Sequence, residues 1–186
     1  MADHEQILLL GDPRLRQPCL PVTDFESEEF REHGRRLAST LEQFRSEYGF
    51  GRAIAAPQIG ISLRMIAMNL GQSPILLVNP ELTHPSVERF TLWDDCMSFP
   101  WLLVRLERHR SVDLRYQDER GELVSRQGVE QDVSELLQHE VDHLDGILAL
   151  DRALDRDSII ARQVYLEKKS YFDSLVNYVI RPTIET

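Results

Sequence analysis

The sequence is poor in cysteine, in long apolar runs and in positive charge, and each deficit argues against one class of protein. Only two cysteines occur in 186 residues, Cys19 and Cys96, so a disulfide framework is excluded and both are expected to be free thiols. No apolar run approaches the length of a membrane span, and residues 7–10 are too short for the core of a signal peptide. The expected location is therefore the cytoplasm, with no membrane partner.

Charge and size narrow the class further. The chain has 21 Lys and Arg against 31 Asp and Glu, which gives a net charge of −10 at pH 7. Such an acidic chain is not expected to bind nucleic acids specifically. Hydrophobic residues make up 42% and charged residues 28%, so a single globular domain over residues 1–186 is expected.

The stretch from His139 to His143, which reads His-Glu-Val-Asp-His, carries the clearest chemical signal. Apolar residues recur around it at steps of three and four, which predicts a helix. Asp132 or Ser134 could cap its start, and Gly146 could mark its end. On a helix the two histidines lie on one face, one turn apart, where both can bind one metal ion.

Glu140 stands beside this histidine pair, within reach of a water on a shared metal ion. Two neutral imidazoles, a Lewis acid and a carboxylate base are the parts of metal-assisted hydrolysis. Surface histidines on a solvated acidic helix explain the five residues equally well. A catalytic site needs a third protein ligand, and Cys96 offers a thiolate that suits a borderline-soft metal. Taken alone, Cys96 is better explained as an inert buried thiol.

The remaining patterns predict an α+β fold. Residues 25–48 are predicted to form an amphipathic N-terminal helix, and residues 158–180 a long C-terminal helix. Between them lie short β-type segments separated by turn residues: 64–69, 75–79, 87–93, 102–106, 111–116 and 122–126. Their short connections imply antiparallel strands, which we expect to pack around the central metal-binding helix.

Residues 49–60 contain small residues that let the backbone approach a ligand closely. The absence of a following Gly-Lys-Ser/Thr pattern makes a phosphate-binding loop a poor fit. A plain tight loop accounts for this composition. A substrate-approach loop in which Gln58 donates hydrogen bonds is the more specific interpretation.

Three separated segments resemble the signature motifs of the peptide deformylase family. Residues 51–58, Gly-Arg-Ala-Ile-Ala-Ala-Pro-Gln, resemble the first, usually Gly-apolar-Gly-apolar-(Ala/Ser)-Ala-Pro-Gln. Residues 94–98, Asp-Asp-Cys-Met-Ser, resemble the second, usually Glu-Gly-Cys-x-Ser. Residues 138–146 match the third, Gln-His-Glu-x-Asp-His-Leu-x-Gly, at every fixed position. The resemblance runs from about residue 7 to about residue 150.

This resemblance implies an enzyme that removes the formyl group from the N-terminal formylmethionine of nascent peptides and releases formate. Cys96, His139 and His143 would hold one divalent metal ion, in this family commonly Fe²⁺, although Zn²⁺, Ni²⁺ or Co²⁺ can occupy the site. The ligand set suits both zinc and iron, so the sequence does not choose between them. The implied partner is the N-formylated nascent peptide, with the ribosome surface as a further candidate.

The resemblance also assigns roles to individual residues. Glu140 would act as the base and later pass its proton to the departing amine. The Gln58 side-chain amide and the Met97 backbone N–H would donate hydrogen bonds to the tetrahedral oxyanion. The substrate backbone would pair, as an added strand, with three residues of the first motif: Gly51, Arg52 and Ala53.

Several residues depart from the family pattern near the metal. Ala53 replaces the second glycine of the first motif, and its methyl group would narrow the approach of a peptide backbone. Asp94 shortens the usual glutamate of the second motif. Asp95 replaces the glycine beside Cys96 and would be strained if its φ is positive. Its charge would also make a metal-bound water less acidic, unless the side chain faces the surface.

Two further departures, Glu135 and Arg52, concern the substrate. Glu135 lies four residues before His139, so it could project into the pocket and reject a thioether or select a polar or cationic side chain. It could instead point to solvent or pair with an arginine. Arg52 is expected to face solvent, or to meet an acidic group of a substrate. These changes leave open a divergent amidase that acts on a different N-formyl substrate.

Two rival functions use the same residues. A zinc peptidase would need a third histidine where Ala149 stands, or Glu167 as a distant third ligand. A non-catalytic metal-binding or ribosome-associated module would dock through the stretch from residue 158 onward. Its signature would be the loss of Glu140, Gln58 or a ligand, and all of these are present.

Overall fold

The computed structural model of the protein describes residues 6–180. Helix α1 (Glu28–Tyr48) is the N-terminal helix that the sequence predicts, although it begins later than expected. The Ser27 hydroxyl caps its start by accepting a hydrogen bond from the Phe30 amide, and Gly49 ends it with φ 73°. Its apolar face is buried in the core.

The larger sheet has five strands, and all of its pairings are antiparallel. In spatial order its strands are β1 (Ala53–Ala55), β2 (Met65–Met68), β3 (Ile75–Thr83), β6 (Val112–Gln117) and β7 (Leu123–Val129). Four of them confirm predicted β segments. β1 lies in the stretch that the sequence assigns to a loop, because this short Ala-Ile-Ala segment becomes a strand through its pairing with β2.

The smaller sheet has three antiparallel strands, β4 (Arg89–Asp94), β5 (Leu102–His109) and β8 (Ile159–Ala161). β5 lies in the centre, paired with β4 on one side and with β8 on the other. The chain passes directly from β4 into residues 95–98. The end of β4 therefore fixes the position of the segment that carries Cys96.

Helix α2 (Gln131–Leu144) contacts β1 and β3 of the larger sheet and β5 of the smaller one, and it carries the two histidines. Its N-cap is Glu130, ahead of both residues suggested for that position. Gly146 follows the helix with φ 73°, as the sequence predicts for its end. A Cβ at this position would lie 2.6 Å from the Arg16 carbonyl oxygen, so the close approach of the two segments requires glycine.

The continuous helix predicted over residues 158–180 is wrong. The chain forms β8, then two short helices, α3 (Arg162–Glu167) and α4 (Lys169–Asp173), and then irregular structure to residue 180. Residues 159–161 pair with β5, which uses backbone groups that a helix would need. Lys168 has φ −126° and separates α3 from α4.

The α+β class is confirmed, because antiparallel sheets combine with helices. Both cysteines are free and buried, as the sequence predicts. Within residues 6–180, each helix is either too short or too polar to cross a membrane.

Candidate metal centre

Two elements bring three metal-binding side chains together. His139 and His143 lie one turn apart on α2, and Cys96 lies two residues beyond the end of β4. One donor atom from each lies within 4.8 Å of the others, and all three residues are buried. Cys96 Sγ is 3.3 Å from His143 Nε2, which is 3.2 Å from His139 Nε2. Glu167, the alternative third ligand, is exposed on α3 and lies outside this cluster.

This donor set fits a divalent metal ion. One sulfur and two imidazole nitrogens suit zinc and iron, and three protein ligands leave the open position that a catalytic site needs. His139 is oriented for the role, because its Nδ1 bonds to Asp94 Oδ2 at 3.0 Å and its Nε2 faces His143. His143 Nδ1 is buried without a hydrogen-bond partner among residues 6–180.

Burial and neighbouring charges shift the pKa values of Cys96, His139 and His143 in different directions. Burial raises the pKa of the Cys96 thiol, with His139 opposing the shift. Burial lowers the pKa of His143 well below its ordinary value, and the nearby His139 adds to this effect. Burial alone would also lower the pKa of His139, but Asp94 outweighs it and raises that pKa well above the ordinary value.

A buried ion-pair network holds Asp94, the hydrogen-bond partner of His139, in place. Asp94 accepts a hydrogen bond from Arg108 Nη2 at 3.1 Å, and Arg108 Nη1 donates to Asp142 Oδ2 at 2.5 Å. Burial alone would raise the pKa of Asp94, but His139 and Arg108 outweigh it and lower this pKa to about 2. Sequence reasoning missed Arg108, although strand alternation places it on the same face of β5 as the buried Leu106.

Glu140 lies beside the centre with an unsatisfied oxygen. Its side chain is buried, and its Oε2 has no hydrogen-bond partner among the described residues. Burial raises the pKa of this carboxyl to about 7, although His139 opposes the shift. A buried oxygen without a partner, on a group with a pKa near neutrality, can accept a proton and return it.

Gln58 is held with its amide N–H groups toward the cysteine. Its Oε1 accepts a hydrogen bond from the Ala55 amide at 2.9 Å, which fixes the orientation of the side chain. Its Nε2 lies 3.3 Å from Ser98 Oγ and 3.7 Å from Cys96 Sγ. Gln58 therefore presents hydrogen-bond donors to the space beside Cys96.

A cavity of about 300 Å³ opens over the centre. All the site residues predicted from the sequence line it, with the exception of His143. Gly51 has φ 117°, a backbone conformation that residues with a side chain rarely adopt, so this part of the wall favours glycine. Ala53 is buried and lines the same cavity.

The expectation that Arg52 faces solvent is wrong. Its side chain is 10% exposed, Nη1 donates to the Asp132 carbonyl at 2.9 Å, and Nη2 donates to Glu135 Oε1. Glu135 both lines the cavity and pairs with an arginine, so it combines two alternatives that the sequence left open. Burial raises the pKa of Glu135 to about 7, with Arg52 opposing the shift. The two departures from the family pattern thus form one buried ion pair.

Asp95 is not strained. The non-glycine residues with positive φ in the described part of the chain are Asn79 and His84, so the positive φ considered for Asp95 does not occur. Its carboxylate pairs with Arg162 at 2.8 Å and is 28% exposed. The Arg162 guanidinium also lies 4.7 Å from the ring centroid of Phe50, which joins two sides of the cavity.

The segment 162–180, here called the C-terminal wall, forms one side of the cavity, and sequence reasoning missed this role. Tyr165, Lys169, Asp173 and Val176 are among its lining residues. A backbone hydrogen bond attaches it to the outer edge of β4, and a second bond runs from the Trp93 indole N–H to the backbone of the wall at 2.9 Å. No local pattern signals these contacts, because they depend on how the segment folds back onto β4.

The fold and the Cys–His–His group, beside a glutamate whose Oε2 has no partner among residues 6–180, define a metal-dependent hydrolase. The family model for polypeptide deformylase matches residues 4–158, most of the chain. The protein therefore belongs to the polypeptide deformylase family, and it is an enzyme that removes N-formyl groups from nascent peptides. Its dependence on a metal follows from the family, and the Cys–His–His group could bind that metal.

Individual relatives agree with this assignment. The peptide deformylase of Thermotoga neapolitana is 35% identical over 158 residues, which covers 85% of this chain and 92% of the relative. The crystal structure of peptide deformylase from Thermotoga maritima has a TM-score of 0.74 at 35% identity and covers 81% of this chain and 98% of that one. The enzyme of Synechococcus elongatus in complex with actinonin has a TM-score of 0.77 at 28% identity, covering 98% and 93%. The C-terminal wall lies beyond the family match, which ends at residue 158.

Proposed function

We propose that Cys96, His139 and His143 hold one divalent metal ion, with Fe²⁺ preferred over Zn²⁺, Ni²⁺ and Co²⁺, and that Glu140 is the base in the hydrolysis of formylmethionyl peptides. The observation that carries this proposal is Glu140 Oε2, which is buried beside three metal-binding side chains and has no partner among residues 6–180. An unpaired buried carboxylate oxygen costs free energy, and a role in proton transfer accounts for it.

The reaction requires two proton transfers by Glu140, first from water to its carboxylate and then from its carboxyl group to the departing amine. A divalent ion held by the three ligands would act as a Lewis acid and lower the pKa of water. Glu140 takes a proton from a water molecule in the cavity, and the resulting hydroxide adds to the formyl carbon. The C–N bond then breaks, and Glu140 passes its proton to the departing amine. The products are formate and a peptide with a free α-amino group.

Gln58 and the Met97 backbone N–H are the proposed donors to the tetrahedral oxyanion. The Gln58 side chain is already fixed, since its Oε1 accepts from Ala55 and its Nε2 faces the Cys96 side. Donors that are in place before the reaction stabilise a developing charge without a reorganisation cost. Truncation of Gln58 is therefore expected to lower kcat more than it raises KM.

The free edge of β1 is the proposed binding site for the peptide backbone. β1 is the terminal strand of the larger sheet, and the Arg52 carbonyl accepts a hydrogen bond from the Asn69 amide, so its backbone faces β2. Because backbone direction alternates along a strand, the N–H and C=O of Ala53 point away from β2. Ala53 also lines the cavity. An extended peptide can pair with it there as an added strand.

We further propose that the chain works as one catalytic domain in the cytoplasm, on chains that leave the ribosome. The support is the chemistry of the substrate, since formylated chains are present where they are synthesised. The net charge of −10 favours contact with the peptide over contact with ribosomal RNA.

Formate release from formyl-Met-Ala-Ser tests the proposal, with protein purified anaerobically and loaded with Fe²⁺. Glu140→Gln is the matched control, because it keeps the shape of the side chain and removes the base. The proposal requires release that depends on Glu140, and parallel loading with Zn²⁺, Ni²⁺ and Co²⁺ ranks the ions. Cleavage of unformylated Met-Ala-Ser without formate release would support a peptidase instead. Metal binding without any turnover would support a binding module.

A further inference from the structure

We propose that Arg162, in the C-terminal wall, binds the backbone carbonyl of the second substrate residue. This contact selects peptides of at least two residues over a formylmethionine that carries no peptide chain. The contact rests on the proposed function, because it concerns the same cavity and the same bound peptide. Arg162 lies beyond residue 158, where the family match ends.

The position of the metal centre determines the direction in which a bound peptide lies along β1. Gln58 lies shortly after the end of β1, and its Nε2 is 3.7 Å from Cys96 Sγ. The formyl group, which must reach this centre, therefore lies toward the C-terminal end of β1. Because the first substrate residue pairs with Ala53, the rest of the peptide runs back toward Gly51, antiparallel to β1.

Antiparallel pairing decides which backbone groups of the peptide face away from β1. Along such a strand, residues whose N–H and C=O bond to the neighbouring strand alternate with residues whose groups point to the other side. The first substrate residue bonds to Ala53, so the N–H and C=O of the second residue point away from β1. β1 is the terminal strand of the larger sheet, and Asp95, which follows β4 of the smaller sheet, lines the same cavity. The second carbonyl therefore needs a donor from the side of Asp95.

Arg162 connects these two sides of the cavity. Its Nη2 donates to Asp95 Oδ2 at 2.8 Å, and its Nε donates to the Pro100 carbonyl at 2.6 Å. Its guanidinium carbon lies 4.7 Å from the ring centroid of Phe50, the residue directly before Gly51. These contacts hold the guanidinium in place before a peptide binds, so little conformational entropy is lost on binding.

The fixed guanidinium keeps hydrogen-bond donors for a ligand. A guanidinium carries five N–H groups, and the hydrogen bonds of Arg162 to residues 6–180 use only Nε and Nη2. The Arg162 side chain is 27% exposed and lines the cavity, which leaves its Nη1 groups available to a bound peptide. A hydrogen bond from a charged donor to a carbonyl is stronger than one between neutral groups.

Two formylated substrates that differ at this carbonyl test the contact. Formyl-Met-Ala-amide carries it, and formyl-Met-isopropylamide has a methyl group in place of the whole carboxamide. With Fe²⁺-loaded wild-type enzyme, kcat/KM should be about tenfold higher for formyl-Met-Ala-amide, the effect of one hydrogen bond from a charged group. Arg162→Met should abolish this preference. Each ratio comes from one preparation, so it does not depend on the folded or metal-loaded fraction.

Arg105→Met is the matched control. Arg105 pairs with Asp155 at 2.9 Å and is 21% exposed, which resembles the ion pair of Arg162, but it is not among the described residues that line the cavity. This variant should keep the wild-type ratio. The double variant Arg162→Met/Asp95→Asn leaves neither charge unpaired and should lose the preference as the single variant does. A wild-type ratio in either Arg162 variant overturns the inference, as does an equal loss in Arg105→Met.

Calorimetric binding of the acetylated analogues needs no turnover and separates this contact from the proposed function. Acetyl-Met-Ala-amide should bind more tightly than acetyl-Met-isopropylamide, and Arg162→Met should remove the difference. Equal affinities in the wild type, or binding of neither analogue, overturn the inference. Formate release at equal kcat/KM from both formylated substrates would support the proposed function and overturn the contact. Absence of formate release together with tighter, Arg162-dependent binding of acetyl-Met-Ala-amide would contradict the proposed function while supporting the contact.

Discussion

Glu135 and Glu140 lie five residues apart on one helix and differ in a single respect. Both side chains are buried, and burial raises the pKa of both carboxyls to about 7. Glu135 is bonded to Arg52, whereas Glu140 Oε2 has no partner among residues 6–180. Burial and pKa therefore do not separate the two residues, but the hydrogen-bond partner does.

One helix therefore carries two buried carboxyl groups with different roles. A carboxylate that is paired with a guanidinium is fixed in the wall of the cavity and can only select what binds there. A carboxylate with an unpaired oxygen is free to exchange a proton with a substrate or a water molecule. The buried Asp94 carboxylate raises the pKa of both Glu135 and Glu140, so one charge influences both groups.

The largest effect is expected from Glu140→Gln, which removes the base and keeps the side-chain volume. Formate release should fall by about 10²–10⁴-fold, the usual contribution of a general base. Metal content, measured by atomic emission, should remain at the wild-type level. Glu135→Gln should cost far less turnover, since its carboxylate is not assigned to proton transfer. Comparable losses in the two variants would break the comparison.

Arg108→Met tests the buried guanidinium that pairs with Asp94 and Asp142. Asp94 and Asp142 would lose a buried partner, so the free energy of unfolding should fall by about 3–5 kcal/mol. Urea unfolding measures this change. Arg110→Met is the matched control, because Arg110 is exposed and pairs with Glu88 at the surface. Its unfolding free energy should change by less than about 1 kcal/mol.

Glu135→Gln also changes the pH dependence of stability. A carboxyl whose folded pKa is raised from 4.5 to about 7 stabilises the fold below pH 4.5, and this contribution is lost as the pH rises through about 7. For Glu135 the loss amounts to at most about 3 kcal/mol, and Glu140 adds a similar one. The fall in unfolding free energy between pH 5 and pH 7 should therefore be less steep in the variant. An unchanged slope would show that Glu135 is ionised throughout.

The smallest effect concerns the C-terminal wall, which lines the same cavity as Glu135 and Glu140. Trp93→Phe removes the indole N–H that donates to the Phe172 carbonyl at 2.9 Å. The cost should be about 1 kcal/mol, together with faster amide hydrogen exchange in residues 162–180. Trp101→Phe is the control, because Trp101 is 48% exposed and lacks such a bond in the described structure. Equal exchange rates in both variants would show that the Trp93 hydrogen bond does not hold the C-terminal wall against β4.

Elements with a local pattern were predicted well. The apolar period of α1, the β-type composition of six segments between turn residues and the apolar period of α2 are all local signals, so the sequence alone indicates these elements. β1 and β8 have three residues each, and long-range pairing decides their conformation. The apolar residues after position 158 predicted one continuous helix. In the structure they lie in a strand, in two short helices and in the cavity wall.

The spacing of His139, Glu140 and His143 already indicates that they share one helix, because helical geometry is fixed by local hydrogen bonds. The motifs, through their resemblance, also indicated that Cys96 joins them. Three features depend on long-range contacts in the folded chain: Arg52 turns inward to Glu135, Arg108 pairs with Asp94, and the C-terminal wall forms one side of the cavity. The reason is physical: the partner of a buried charge is chosen by packing between distant segments, and no local pattern records it.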